Sequence, residues 1–293
     1  GKLHAKILSE INLEVEIVTN QKNLEYKSYE NLEEAIEISK PEYIVISNKT
    51  VDHHSTLLRI LKSKYFGKIL IEKPIFSDLK EIDNVTNQEI YVGYNLRFHP
   101  VLLELKKLLK AEKIISANIY VGEHLSNWRK EIDYRKSYSA KRSEGGGVLR
   151  DLSHEIDYAL WLFGNWQKVT ARGGHLSNLE IDSEDLFSIL IQSELCSVVN
   201  IQMSYLDRVK KRTLLINTET DTFEVDLVKN KIIKNGDCIF NSPQEYSTYR
   251  KMHESILSTR NKSSLCTYQE GINVIELVEF IEKSNGIKWI DNE

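Results

Sequence analysis

Short, continuously apolar runs alternate with stretches of helical spacing through the first third of the chain. Residues 43–46 and 68–71 have the brief, β-rich character of strands buried on both faces, while apolar positions recur every three or four residues in about 2–11, 32–39, 55–64 and 78–86. Strands at 14–18 and 90–94 complete the alternation. Such an order predicts βαβ units and a parallel sheet.

After Tyr94 the pattern changes. A helix over 100–110 and a strand over 114–121 lead into a polar, aromatic-rich stretch at 123–144, and a helix follows over 148–163. Alternating strands at 186–191, 197–205, 213–217 and 222–227 then predict a mainly antiparallel sheet, closed by helices over 246–258 and 268–283. The expected fold class is α/β, with a parallel-sheet domain over residues 1–98 and a second α/β domain with the large sheet over 99–293.

Composition adds limits. With 41% hydrophobic and 28% charged residues, 293 positions suffice for two ordinary globular cores. The net charge of -4, from 39 basic and 43 acidic residues, gives no general attraction to nucleic acid or an anionic membrane. No apolar run reaches the ~20 residues that span a bilayer. Cys196, Cys238 and Cys266 neither pair evenly nor sit at metal-ligand spacing, and no basic-plus-apolar leader precedes the first helix. A cytoplasmic location is therefore expected.

Two local features carry candidate chemistry. Lys73 follows the buried strand 68–71 in Glu72-Lys73-Pro74, and the carboxyl ends of parallel strands face the ligand crevice. An ammonium there suits stabilisation of an alkoxide as hydride leaves, although a loop lysine beside a turn proline is the plainer account. Asp151 and His154 stand at i,i+3 on the predicted helix, opposite the apolar stripe of Leu152, Ile156, Ala159, Leu160 and Phe163. The carboxylate can tune the imidazole as a general acid and base, or both can belong to a solvated helix face. The glycines 145–147 lack phosphate-loop spacing, and Asp151, His154, Glu155 and Asp157 lack a zinc pattern, so no metal is expected.

Other strand ends offer Asn95 and Arg97 to a substrate, and Asn48, Thr50 and His53 to a nicotinamide or its phosphates. Capping by Thr50 is the alternative. Trp128, Arg129, Arg135 and Tyr138 combine aromatic faces with guanidinium groups, as a substrate lid or a solvated loop.

Taken in order, Glu72-Lys73-Pro74, the run Gly93-Tyr94-Asn95-Leu96-Arg97-Phe98-His99-Pro100 and the glycine-rich approach to Asp151, His154 and Asp157 resemble the glucose-fructose oxidoreductase and inositol dehydrogenase (Gfo/Idh/MocA) family. The resemblance implies a Rossmann-like domain and NAD or NADP. It implies a sugar, cyclitol or nucleotide-sugar substrate and a homodimer or homotetramer. By resemblance Lys73 is the catalytic lysine, His154 the acid/base and Asp151 its partner, though this chain places two residues between Asp151 and His154 where three are common. The expected substrate contacts are Lys73, Asn95, Arg97, Trp128, Arg129, Arg135, Tyr138, Asp151 and His154. The expected cofactor contacts are Gly1, Leu3, Thr19, Asn20, Asn48, Thr50, His53, Glu72 and Lys73.

The family fold opens with a strand and a glycine-rich turn, of which this sequence holds only Gly1 and the following Lys2, Leu3 and His4. The loss of a central strand would leave unpaired backbone groups, so that strand is expected to precede Gly1 in the natural protein. The tip of the 14–18 strand, at Thr19 and Asn20, lacks the acid that grips an NAD ribose. Reversible alcohol oxidation is the main expectation. Net redox-neutral chemistry on tightly held NAD, or a binding protein without catalysis, are the alternatives.

Overall fold

The computed structural model describes residues 1–285 apart from 23, 24, 81, 83, 84, 86, 87, 129, 130, 243–246 and 261. The chain forms two compact units, Gly1–Phe98 with Ser247–Ile272, and His99–Tyr246 with Asn273–Glu293.

Unit 1 opens with α1 (Lys2–Glu10), which buries His4, Ala5, Ile7 and Leu8 along one face. β1 (Glu16–Val18) pairs in parallel with β2 (Lys27–Tyr29), a short strand that the hydrophobic pattern did not signal. α2 (Leu32–Ser39) begins where the Asn31 side chain accepts from Glu34 N–H at 2.9 Å, and it ends on left-handed Lys40 before Pro41. β3 (Tyr43–Ile46), α3 (His53–Lys62), β4 (Lys68–Ile71) and β5 (Ile90–Val92) then build a parallel three-strand run. Ile69, Leu70 and Ile71 are wholly buried, which is why this strand reads as continuous apolar sequence.

The helix expected over 78–86 is not found at Asp78, Leu79, Lys80, Ile82 or Val85; its other residues lie outside those described.

Unit 2 starts with α4 (Pro100–Leu109) and β6 (Ile114–Gly122). Proline opens α4, where its missing N–H costs nothing. After a run of short 3₁₀ turns come α5 (Val148–Asp151), α6 (His154–Phe163), β7 (Trp166–Gly174), β8 (Leu186–Ser193), β9 (Cys196–Ser204), β10 (Lys211–Thr218), β11 (Thr222–Asp226), β12 (Lys231–Lys234) and β13 (Asp237–Asn241). The eight strands run β13-β12-β11-β10-β6-β9-β8-β7 in one sheet. All neighbours are antiparallel except β6 and β9. Ile189, Ile201, Ile119 and Leu214 stand opposite one another across four strands, all buried. Register thus turns period-two alternation into one apolar inner face.

The chain then returns to unit 1. α7 (Thr248–Leu257) and β14 (Cys266–Thr267) belong there, β14 closing the four-stranded sheet as β14-β5-β4-β3. Met252, Ile256 and Leu265 enter a core with Leu70, Tyr91 and Phe98. α8 (Tyr268–Ser284) starts in unit 1, and its residues from Asn273 onward belong to unit 2.

The helix expected over 148–163 is two helices. Leu152 and Ser153 turn between α5 and α6, so Asp151 ends one helix and His154 begins the next. The polar face of Asp151, His154, Glu155 and Tyr158, for which solvation is one of the two readings, is largely buried: Asp151 is 5% exposed, Glu155 and Tyr158 are at 0%, and His154 is half-buried. Packing on both sides overrides the amphipathic pattern. No described helix is long and apolar enough to cross a membrane.

Candidate functional site

In unit 1 the parallel strands β3, β4 and β5 deliver Asn48, Glu72-Lys73 and Gly93-Tyr94-Asn95 to one edge of their sheet. The amide of Glu72 donates to Ile46 O at 2.9 Å and that of Gly93 to Ile71 O at 2.8 Å, so the strand ends are fixed beyond the regular ladder. Lys73 N–H donates to its neighbour's Glu72 Oε2 at 3.0 Å, and the Lys73-Pro74 bond is cis. A Cβ on Gly93 would lie 3.1 Å from Glu72 Oε2, so glycine leaves room for that carboxylate. Burial pushes the Glu72 carboxyl up, but the His4 hydrogen bond and nearby positive charge outweigh it and hold the group below its ordinary range.

His53, a candidate cofactor residue, is 1% exposed, and its ring reaches Pro74 O and Ile75 O at 3.1 Å. Burial lowers its pKa, which leaves a neutral ring bracing the loop that carries Lys73. Arg97, expected at the crevice, is 1% exposed and donates to Glu270 Oε1 at 2.8 Å and Leu265 O at 3.3 Å. Asn95 is likewise buried and donates to Thr248 Oγ1 at 2.5 Å. These contacts tie the end of β5 to the returning segment. Asn48 is exposed and donates to Thr56 Oγ1, while Thr50 opens a 3₁₀ turn without a side-chain capping bond from Lys49 before it. Thr19 and Asn20 follow β1, Thr19 accepting from Gln21 N–H at 3.1 Å. Gly1 and half-exposed Leu3 belong to the start of α1, which has no side-chain cap. An added Cβ on Gly1 would lie 3.3 Å from Ser47 Oγ, which places this helix end beside the end of β3.

In unit 2 Asp151 and His154 line a cavity of about 340 Å³ with Gly122, Glu123, Trp128 and Arg212. Tyr205 donates its hydroxyl to Asp151 Oδ2 at 2.7 Å, and Trp128 meets the Tyr205 ring edge-on at 5.2 Å. Burial, reinforced by the Asp151 charge, raises the Tyr205 phenol well above its ordinary pKa, so it remains a donor. The Trp128 indole N–H donates to Glu123 O at 3.2 Å, and Lys210 pairs with the Glu123 carboxylate at 3.2 Å. Arg212 places Nε 2.8 Å from Glu155 Oε1, neutralising a carboxylate wholly removed from water.

Arg135 donates to Asp133 and Glu180, so its guanidinium is engaged at the surface. Tyr138 opens a 3₁₀ turn and is half-buried; Arg129 lies outside the described residues. Among the described residues no three His, Cys, Asp or Glu side chains form a group able to hold a metal ion.

Gly146 and Gly147 serve close packing. A Cβ on Gly146 would run into the Tyr138 carbonyl, and one on Gly147 would run into the Glu184 carboxylate. Gly147 also has φ +114, which side chains rarely adopt. Gly147→Ala should therefore destabilise the fold by about 1–3 kcal/mol. A urea midpoint equal to wild type would contradict this account.

Sequence reasoning missed Tyr205, Arg212, Lys210 and the histidine contacts of His4. Tyr205 and Arg212 lie at strand ends beside the cavity, which was the available signal.

Two family profiles match the chain: the oxidoreductase family with an NAD-binding Rossmann fold over residues 4–91, and the GFO/IDH/MocA C-terminal domain over 102–226. An uncharacterized oxidoreductase of Synechocystis sp. is 27% identical over 162 residues, 53% of this chain and 43% of that protein. This chain thus aligns with less than half of that relative's length. Among solved structures, UDP-N-acetylglucosamine 3-dehydrogenase from Acidithiobacillus ferrooxidans is similar with a TM-score of 0.79 at 17% identity, covering 97% of this chain and 94% of that one. The WlbA dehydrogenase from Bordetella pertussis, in complex with NADH and UDP-GlcNAcA, gives 0.78 at 16% identity over 97% and 91%. These structural likenesses concern the fold. With both profiles matching in order, one over each part of the chain, the protein belongs to the GFO/IDH/MocA oxidoreductase family.

Proposed function

We propose that the protein transfers hydride between a nicotinamide cofactor and a secondary alcohol carbon of a sugar, cyclitol or nucleotide sugar. The observation that carries this reading is the cavity in unit 2, where His154 and a Tyr205-held Asp151 stand beside Trp128. In this reading His154 moves the hydroxyl proton, Asp151 orients or tunes the imidazole, and Lys73 polarises the oxygen. Trp128 offers an apolar face to a sugar ring, and Lys211 at the same cavity offers a positive charge to an anionic group of the substrate. The dehydrogenases similar in fold include one bound to NADH and a nucleotide sugar, which supports the same substrate class here.

When bound, a nicotinamide cofactor supplies the hydride donor or acceptor. Unit 1 has residues that fit it: uncapped N–H groups at the start of α1, including that of Leu3, suit a phosphate. Gly1, Asn48, Thr50 and Lys73 would border the phosphates and nicotinamide, and Thr19 and Asn20 would meet the adenosine ribose. The absence of a carboxylate at Thr19 and Asn20 leaves room for NADP as well as NAD. Self-association through the outer face of the large sheet is part of this proposal. Leu190, Val198 and Leu215 stand exposed on it.

The test is titration of the purified native protein with NADH and NADPH, followed by turnover assays on nucleotide sugars, free sugars and cyclitols. Cofactor binding is expected, with turnover falling about 10²-fold or more in His154→Ala. Failure to bind either cofactor would overturn the function. Wild-type turnover in His154→Ala would overturn the assigned role.

A further inference from the structure

We infer that His4 and His253 are positioning residues for Lys73, acting through a buried line of hydrogen bonds that ends on Glu72. The importance of Lys73 itself rests on the function proposed above. The line joins four elements that lie far apart in sequence. Tyr43 Oη on β3 is 2.9 Å from His253 Nδ1 on α7, and His253 Nε2 is 2.9 Å from His4 Nδ1 on α1. His4 Nε2 is 2.6 Å from Glu72 Oε1, and the other oxygen of that carboxylate receives Lys73 N–H.

Proton bookkeeping allows one arrangement of the neutral rings. An ionised Glu72 only accepts, so His4 Nε2 carries the proton, and neutral His4 then accepts at Nδ1. His253 must donate to it from Nε2 and accept at Nδ1, where Tyr43 O–H donates. Burial favours these states: it raises the Tyr43 phenol well above its ordinary range and lowers His253 to about 4. Protonation of His4 would reverse the upper half of the line, since His253 Nε2 would then have to accept.

Packing alone does not require such groups. Two imidazoles, 5% and 0% exposed, cost desolvation that leucine or phenylalanine would avoid. Around them, Tyr249 of α7 meets the His4 ring edge-on at 5.4 Å. The Glu72 charge also acts on His53 of α3 and on Tyr249, and Tyr65 acts on Tyr43. The outcome is a carboxylate fixed in direction and charge immediately before Lys73. Its negative charge favours the Lys73 ammonium.

The experiment measures acylation of Lys73 by acetic anhydride across pH, read by peptide mass spectrometry, in wild type, His4→Phe and His253→Leu. Loss of the line releases Glu72, so Lys73 should acylate about ten-fold faster at a fixed pH below its titration midpoint. His253→Gln, which can still donate to His4, should stay nearer wild type. An unchanged Lys73 profile in folded His4→Phe and His253→Leu would overturn the inference. Should either variant fail to fold, ¹⁵N spectra of histidine-labelled wild type decide it: each ring in its neutral form is expected as the Nε2–H tautomer, and an Nδ1–H tautomer on either would refute the line. These readouts need no substrate, so they are independent of the turnover that tests the function.

Discussion

Lys73→Ala should lower turnover about 10²–10³-fold, the loss typical for removal of one donor to a developing oxyanion. The effect should fall mainly on kcat, because the interaction strengthens as the alcohol oxygen gains charge. The backbone around Lys73 is held by other groups. Glu72 receives its N–H, and the buried ring of His53 reaches the carbonyls of Pro74 and Ile75. Truncation of a half-buried side chain at this strand end should therefore leave the unfolding midpoint near wild type. Initial rates followed by nicotinamide absorbance, beside urea unfolding, separate the two effects. A Lys73→Ala enzyme with wild-type kcat would remove the lysine from the mechanism.

The largest loss of stability should come from Arg212→Leu, at about 3–5 kcal/mol, because it leaves a buried carboxylate without its counter-charge. Glu155 is 0% exposed, and the Tyr158 hydroxyl, at 3.3 Å, offers it only a long, neutral contact in place of a counter-charge. The double variant Arg212→Leu with Glu155→Leu should recover much of the loss, since replacement of both charges by apolar groups can be nearly neutral. Urea midpoints of the single and double variants measure this directly. A single-variant loss below about 1 kcal/mol would show that Arg212 is not what satisfies Glu155. The consequence reaches the cavity, for Arg212 lines it and Glu155 adjoins His154.

The order of helices and strands is legible because local periodicity reports which faces a segment buries. Ile69, Leu70 and Ile71 had to be apolar in a strand covered on both faces, and the alternation in β8 and β9 follows from one covered face. Lys73, Asp151 and His154 stand out as candidates through their placement and the ordered family motifs. The environment of Arg97 and His53 was not legible. Both follow strand ends, as ligand residues do, yet tertiary contacts bury their polar atoms against Glu270 and the Pro74 loop.

Sequence by itself determined the alternating α/β pattern, the change to antiparallel strands and the residue types available for proton handling. Tertiary structure decided their partners. Spacing placed Asp151 beside His154 on one helix, whereas the chain turns between them and Asp151 accepts from Tyr205, distant in sequence. His4 likewise meets His253 from the other end of the chain. Periodicity senses neighbours within one element. A hydrogen bond between elements depends on strand register and helix packing, which every other core contact helps to set.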